Sequence, residues 1–238
     1  MTTVLPNFPT HSKHSANMPA VLSQRLWFPD PNSAATAGGT NGLVAIGGDL
    51  SVSRLLLAYQ SGIFPWTVDP ITWWSPNPRA IFELDQFHVS RSLARTLRKQ
   101  TFQVTIDRAF REVIGGCAKS GPGRKGTWIT PEFITAYSKL HEEGHAHSVE
   151  CWCDGQLAGG VYGVTVGGLF AGESMFHSVS DASKVALYHL IQHLKARRFV
   201  LFDIQILSPH TQGLGASEIT RDEYLERLGR AVQRECIF

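Results

Sequence analysis

FVLFDIQI, at residues 199–206, is apolar enough to be a central strand buried on both faces. Two polar residues interrupt it. Asp203 and Gln205 stand two apart, which in an extended strand puts them on one face. Burying a carboxylate and an amide costs several kcal/mol (about 2–7 for the amide alone) unless they are paired or reach a polar cleft. Either neighbouring backbone satisfies the pair, or this face of the strand lines a site.

The segments around that strand set the fold class. Thr130 is placed to cap a helix with Pro131 at its first position, and Phe133, Tyr137 and Leu140 form its apolar face. Residues 147–153 alternate, Asp154-Gly155 is a hairpin signal, QLAGGVYGV follows, Gly167-Gly168 turns again, and LFAGESMF returns. A helix starting at Asp181 or Ser183 then turns Ala186 or Leu187, Leu190, Ile191 and Leu194 inward. After the strand, Thr220-Arg-Asp-Glu223 has capping-box spacing and opens a last helix. Helix, three-stranded meander, helix, strand, helix is an α+β order: a mixed sheet flanked by helices over residues 101–238.

The first hundred residues are less regular. Residues 1–25 have no periodicity and read as a flexible tail, and 26–100 as a small N-terminal domain. Within it, 51–60 is a helix with Leu55, Leu56 and Tyr59 on one face, ended by Gly62. Pro65, Pro70, Pro76 and Pro78 forbid a long element around Trp66, Trp73 and Trp74, which either plug a core or form a stacking floor. Residues 90–100 form an amphipathic helix. Arg91, Arg95 and Arg98 line one side, a solvated face or a track for a phosphate backbone. Residues 107–117 read as a helix with Phe110, Val113, Ile114 and Cys117 inward.

Composition narrows the classes. The chain has 238 residues, is 43% hydrophobic and 18% charged, and can bury a large core. A net charge of +2 argues against a wholesale nucleic-acid coat but not against a local basic face. No window approaches the ~18 apolar residues of a membrane span. The start lacks the apolar core of a secretory signal, so a cytoplasmic protein is expected. Cys151-x-Cys153 with His145 and His147 lacks the usual zinc spacing, and no metal is expected. GPGRKG at 121–126 lacks P-loop order and reads as a loop able to touch phosphate. GESMF at 172–176 is not the nucleophile elbow, since Phe176 replaces the second glycine; Glu173 can instead hold a cationic group.

Taken together, NGLVAIGGDL from Asn41, GIFPW from Gly62, WWSPNPRA from Trp73, GTWIT from Gly126, HEEGHAHSVE from His141, GESMF from Gly172 and LFDIQIL from Leu201 resemble the leucyl/phenylalanyl-tRNA–protein transferase family. The resemblance runs from about residue 26 to 228. It implies a GNAT-like acyltransferase domain beside a smaller N-terminal domain, in a bacterial, cytoplasmic enzyme. It further implies transfer of Leu or Phe, less readily Met, from aminoacyl-tRNA to the α-amino group of proteins beginning with Arg or Lys. The product is a degradation signal of the N-end rule. No cofactor is implied, because the aminoacyl ester is already activated, and nothing demands more than a monomer.

Residue by residue, the family's stacking aromatics fall on Trp66 and Trp128 with Tyr137 nearby, holding the terminal adenosine. Phe170 falls beside the 3′ end. Glu173 falls at substrate and is counted with the catalytic residues, and Ser174 falls at substrate. The aminoacyl pocket falls on Val161, Met175, Leu187, Leu190 and Phe202, where Val161 and Leu190 replace bulkier Met and Phe. Asp203 and Gln205 match the proposed catalytic pair, and Ser208 stands where Asn is expected. Arg79, Arg91, Arg95 and Arg98 match the tRNA-facing surface. In this picture Asp203 accepts a proton from the attacking amine, directly or through Gln205, or the pair positions the amine while a ribose hydroxyl relays the proton. Two rivals remain. An acyl-CoA N-acyltransferase would want a glycine-containing pyrophosphate loop where HSVSDASK stands, and a non-catalytic tRNA-binding module would leave Asp203 and Gln205 idle.

Overall fold

The computed structural model describes residues 19–34, 41–119 and 127–238. Residues 1–18 of the expected tail and the basic loop 121–126 lie outside them. Eleven strands and seven α-helices follow in order among the described residues. They are β1 (Ala20–Leu22), β2 (Leu43–Gly47), α1 (Val52–Gln60), β3 (Phe64–Val68), β4 (Ile71–Trp74), β5 (Arg79–Phe82), α2 (Arg91–Lys99), β6 (Gln103–Ile106) and α3 (Phe110–Ala118). Then come α4 (Pro131–Glu142), β7 (Ala146–Cys153), β8 (Gln156–Val166), β9 (Leu169–His177), α5 (Ala182–Ala196), β10 (Leu201–Gln205), α6 (Pro209–Gly213), β11 (Ala216–Ile219) and α7 (Arg221–Ala231).

Local chemistry explains the boundaries. Ser51, Ser90 and Thr220 each accept a backbone N–H in the first turn of α1, α2 and α7. Thr130 precedes Pro131 at the start of α4 but makes no such bond. Asp154 and Gly155 both have positive φ, 51° and 74°, as the two-residue turn between β7 and β8 requires. The helix expected from 107 starts only at Phe110 because Asp107, at φ 55°, is left-handed. Val200 is 45% exposed, and β10 begins one residue later.

The strands make two sheets, β1-β2-β4-β3 and β11-β5-β10-β9-β8-β7-β6. In the larger, only β9 and β10 run parallel; every other neighbouring pair is antiparallel. The expected α+β class, a mixed sheet flanked by helices, is therefore what the chain forms. Two expectations change. Ala20–Leu22 is strand rather than tail, because it pairs parallel with Ala45–Gly47 register partners on β2. Residues 79–82, placed on sequence in the small module, insert as β5 between β10 and β11.

Apolar side chains bind both layers. On one face of the large sheet, Leu55 and Tyr59 of α1, Ile114 of α3, Phe133 and Leu140 of α4, and Leu228 of α7 share a core with Trp73 and Val44 of the small sheet. On the other face, Leu187, Leu190 and Ile191 of α5 and Leu93 of α2 pack against Phe82, Val161 and Phe202. Each fully buried Leu or Phe there contributes about 1.5–3 kcal/mol.

Candidate active site

The parallel contact of β9 and β10 lasts three register pairs, Leu201–Leu169, Phe202–Phe170 and Asp203–Ala171. Beyond it the strands part. β9 continues along β8, while the pairing of β10 with β5 shifts register between Asp203 and Gln205. Glu173 and Gln205 flank the opening, where two cavities lie side by side.

The first cavity, about 170 Å³, is lined by Phe64, Pro65, Trp66, Trp128, Glu173, Ile204, Gln205 and Ile206. Trp66 packs edge-on against Trp74 with centroids 5.3 Å apart, and Trp128 against Phe133 at 5.2 Å, so each indole is braced from behind. Trp66 stays 37% exposed. A flat ring entering here meets two large aromatic surfaces. The second cavity, about 220 Å³, is bounded chiefly by Phe82, Val161, Met175, Leu187, Phe202 and Thr211. Its wall explains one glycine: a Cβ on Gly172 would stand 2.8 Å from Phe202 Cε2. Glu173, Ile204 and Ile206 border both cavities.

Glu173 is the charged centre of this junction. Its Oε1 accepts from Tyr59 Oη at 2.7 Å and its Oε2 from Tyr137 Oη at 3.1 Å, while the two phenol oxygens lie 2.5 Å apart. Burial raises its pKa to about 7, against the lowering effect of the two phenols; the Asp203 charge adds to the rise and Arg79 opposes it. Burial and the Glu173 charge in turn push both tyrosines well above the ordinary phenol value. The Gln205 amide has two settings. In one, Nε2 lies 3.4 Å from Glu173 Oε1. In the other, that nitrogen donates to the carbonyls of Ile204 and Gly172, both at 2.9 Å. The second setting turns the amide oxygen toward Glu173 Oε1.

Asp203 does something else. It is fully buried and both its oxygens are taken. Arg79 donates Nε to Oδ1 at 2.8 Å and Nη2 to Oδ2 at 2.6 Å, Tyr224 Oη donates at 3.0 Å, and the Gln205 backbone N–H at 2.9 Å. Arg79 also donates to the Gly62 carbonyl at 3.0 Å and lies over the Tyr224 and Phe64 rings. Burial works against its charge, but Asp203 outweighs it, and the guanidinium is held above its ordinary pKa. Asp203 thus fixes the backbone of Gln205, which sits at φ 59° with its side chain in the cavity.

The site departs from expectation at several residues. Val161, Met175, Leu187 and Phe202 line one cavity together with Ser174, and Trp66 and Trp128 line the other. Asp203 and Gln205 do not share an accessible face, because the bulge turns them apart. Arg79, expected on the tRNA-facing surface, is 1% exposed and neutralised by Asp203. Tyr137 offers no stacking face: its ring is buried against Phe133 and Tyr162. Phe170 packs against Phe202 and Phe238 in the interior, and Leu190 lies in the core behind the cavity. Arg91, Arg95 and Arg98 are exposed on α2 with no acidic partner among the described residues. The sequence reading missed Tyr59, hidden in the apolar stripe of α1, and Phe82, Ile204, Ile206 and Thr211 as lining residues.

Comparison with known proteins bears on this site. The chain is 52% identical over 207 residues to the leucyl/phenylalanyl-tRNA–protein transferase of Idiomarina loihiensis, covering 86% of this chain and 88% of that protein. It is 52% identical over 210 residues to the enzyme of that name from Pectobacterium carotovorum, covering 87% and 88%. Among solved structures it has a distant likeness to L-PGS from Bacillus licheniformis (TM-score 0.41, 14% identity, 71% of this chain and 55% of that one). Another is a GCN5-related N-acetyltransferase-like protein from Streptococcus suis (TM-score 0.35, 11% identity, 60% and 58%). The family model for leucyl/phenylalanyl-tRNA protein transferase matches residues 81–229, and that for its N-terminal domain matches 48–77. The boundary between the two falls where β5 enters the large sheet. By sequence over most of its length, this chain belongs to the leucyl/phenylalanyl-tRNA–protein transferase family.

Proposed function

We propose that this enzyme transfers Leu or Phe, less readily Met, from aminoacyl-tRNA to the α-amino group of proteins beginning with Arg or Lys, marking them for degradation by the N-end rule. The observation that carries this reading is the pair of cavities meeting at Glu173, one walled by two indoles and one apolar. In this reading the terminal adenine stacks at Trp66 and Trp128, and the aminoacyl side chain fills the cavity of Val161, Met175, Leu187 and Phe202. The ester carbonyl then lies beside Glu173. An apolar pocket rejects polar aminoacyl groups and separates Leu from its near relatives by only about 1–3 kcal/mol per methylene.

The chemistry needs a neutral amine held in line with the carbonyl. The amine nitrogen attacks the carbonyl carbon, and the bond to the ribose oxygen breaks. The proton leaving nitrogen passes to Glu173 and from it to the ribose oxygen, so the carboxylate is regenerated. A carboxyl near 7 is better matched to an α-ammonium near 8 than one at the usual 4.3. Gln205 is placed to hold the amine or carbonyl, and Asp203, with its oxygens occupied, acts as a positioning residue for Gln205. With Asp203 neutralised by Arg79, the carboxylate open to the cationic first residue of an acceptor is Glu173. No cofactor enters, since the ester supplies the driving force. We place the enzyme in the cytoplasm as a monomer; among the described residues no helix is long and apolar enough to cross a membrane. An acyl-CoA donor is disfavoured at the start of α5, where the Asp181 carboxylate, bonded to Lys184 and Thr96, would face a pyrophosphate.

The deciding experiment is transfer of label from leucyl-tRNA to peptides that differ only in their first residue. Label on Arg and Lys peptides but not on Glu or Ala peptides is expected; label on none of them, with acetyl-CoA supporting acylation, would overturn the reading. The basic face of α2 has its own test. Replacing Arg91, Arg95 and Arg98 together by Ala is expected to flatten the slope of log affinity for tRNA against log salt by about 2–3, roughly 0.7–0.9 per lost phosphate contact. An unchanged slope in a salt titration of binding would remove α2 from the tRNA surface.

A further inference from the structure

Three close contacts join Glu173, Tyr59 and Tyr137 into a closed triangle: Tyr59 Oη to Glu173 Oε1 at 2.7 Å, Tyr137 Oη to Oε2 at 3.1 Å, and phenol to phenol at 2.5 Å. Counting hydrogens is informative. Two phenols bring two hydrogens, so with an ionised carboxylate one of the three contacts has none. A proton on Glu173 supplies the third: Glu173 donates to Tyr137, Tyr137 to Tyr59, and Tyr59 back to Glu173. The ring is complete only when Glu173 holds a proton, and it has two strong donors ready when Glu173 gives it up.

Tyr59 comes from α1, before the large sheet begins, and Tyr137 from α4, so the ring ties the smaller module to β9. Both phenols are fully buried. We propose that Tyr59 and Tyr137 form a hydroxyl pair that donates to the ionised Glu173 carboxylate and closes into a ring when Glu173 takes up a proton, making Tyr59 a positioning residue by which the smaller module sets the charge of the transfer site. The inference rests on the role given to Glu173 above. The other groups facing Glu173 are Asp203 and Gln205 from β10, Arg79 from β5 and Tyr162 from β8, and none of them closes a ring with it.

The direction of the effect follows from charge. Donation from each phenol to the carboxylate lowers the Glu173 pKa, against the rise caused by burial. Removing either hydroxyl therefore destabilises the ionised form more, and Glu173 should titrate at higher pH. Tyr162 provides the control, since its hydroxyl is buried without a hydrogen-bond partner among the described residues.

The experiment is an infrared titration of the protein alone, following the Glu173 carboxyl band identified by its loss in Glu173→Gln, together with the pH profile of transfer to one Arg-peptide. Tyr59→Phe and Tyr137→Phe are each expected to move both midpoints up by about half a unit to one unit from near 7, with Tyr162→Phe unchanged. Activity of Tyr59→Phe should then recover at high pH. A band midpoint that stays in place in Tyr59→Phe and Tyr137→Phe, or a loss of transfer equal at every pH, would overturn the inference and leave the role of Glu173 standing. Wild-type transfer with an unaltered midpoint in Glu173→Gln would overturn both. Should Tyr59→Phe fail to fold, Tyr137→Phe tests the same ring from its other side.

Discussion

Glu173→Gln is expected to lower transfer from leucyl-tRNA to an Arg-peptide by between about a hundredfold and ten-thousandfold, the range for loss of a positioned general base. One phenol can still donate to the amide oxygen and the other accept from the amide nitrogen, as from a protonated carboxyl, so the fold and tRNA affinity should survive. The proton acceptor is what is lost. In the unaltered enzyme this base works in its ionised form, so activity should be present above about 7 and fall tenfold per unit as pH drops further below it. Single-turnover transfer measured across pH 5–9 separates this from a binding defect. A Gln variant that transfers within a fewfold of the original would show that Glu173 does not handle the proton.

Arg79→Leu carries the largest expected cost in stability. It leaves the Asp203 carboxylate fully buried with its two Arg79 bonds gone and the Gly62 carbonyl without its donor. Breaking such a pair from one side costs about 3–5 kcal/mol. Burial within the protein, not surface screening, sets this figure, as both side chains are at most 1% exposed. Urea unfolding gives the number directly. The double variant Arg79→Leu with Asp203→Leu should recover part of the loss, because it removes the uncompensated charge. A single-variant cost below about 1 kcal/mol would mean that Asp203 finds another partner, and that Gln205 is not held through this pair.

How much of this was legible in the sequence depends on the range of each signal. Elements defined by neighbours were readable. The Asp154-Gly155 turn, the capped start of α7 and the apolar stripe of α5 all stand where local chemistry puts them. β5 was not, because RAIF at 79–82 has meaning only between β10 and β11, partners more than a hundred residues downstream. The polar pair in FVLFDIQI marked the site, yet alternation assigned both residues to one face. The bulge at β10 and the left-handed Gln205 separate them, and the bulge is held by the same Asp203 whose partner, Arg79, lies 124 residues away. Arg79 itself read as one more surface cation, since nothing local shows that its charge is spent inside. Tyr59 fitted the buried side of α1 as well as any apolar residue would. Its hydroxyl acquires a role only when α4 and β9 arrive beside it. Phe82 and Thr211 were missed because the fold alone brings them to the cavity, and Ile204 and Ile206 because, in an apolar strand, they read as core.

The central claim is that one substrate end spans both cavities across Glu173, and a structure of the protein with a stable amide analogue of phenylalanyl-adenosine tests it most directly. The account predicts adenine against Trp66 and Trp128, the phenyl ring between Val161, Met175, Leu187 and Phe202, and the amide carbonyl at Glu173 and Gln205. The analogue seated elsewhere, or seated with adenine in the apolar cavity and the side chain at the indoles, would contradict it.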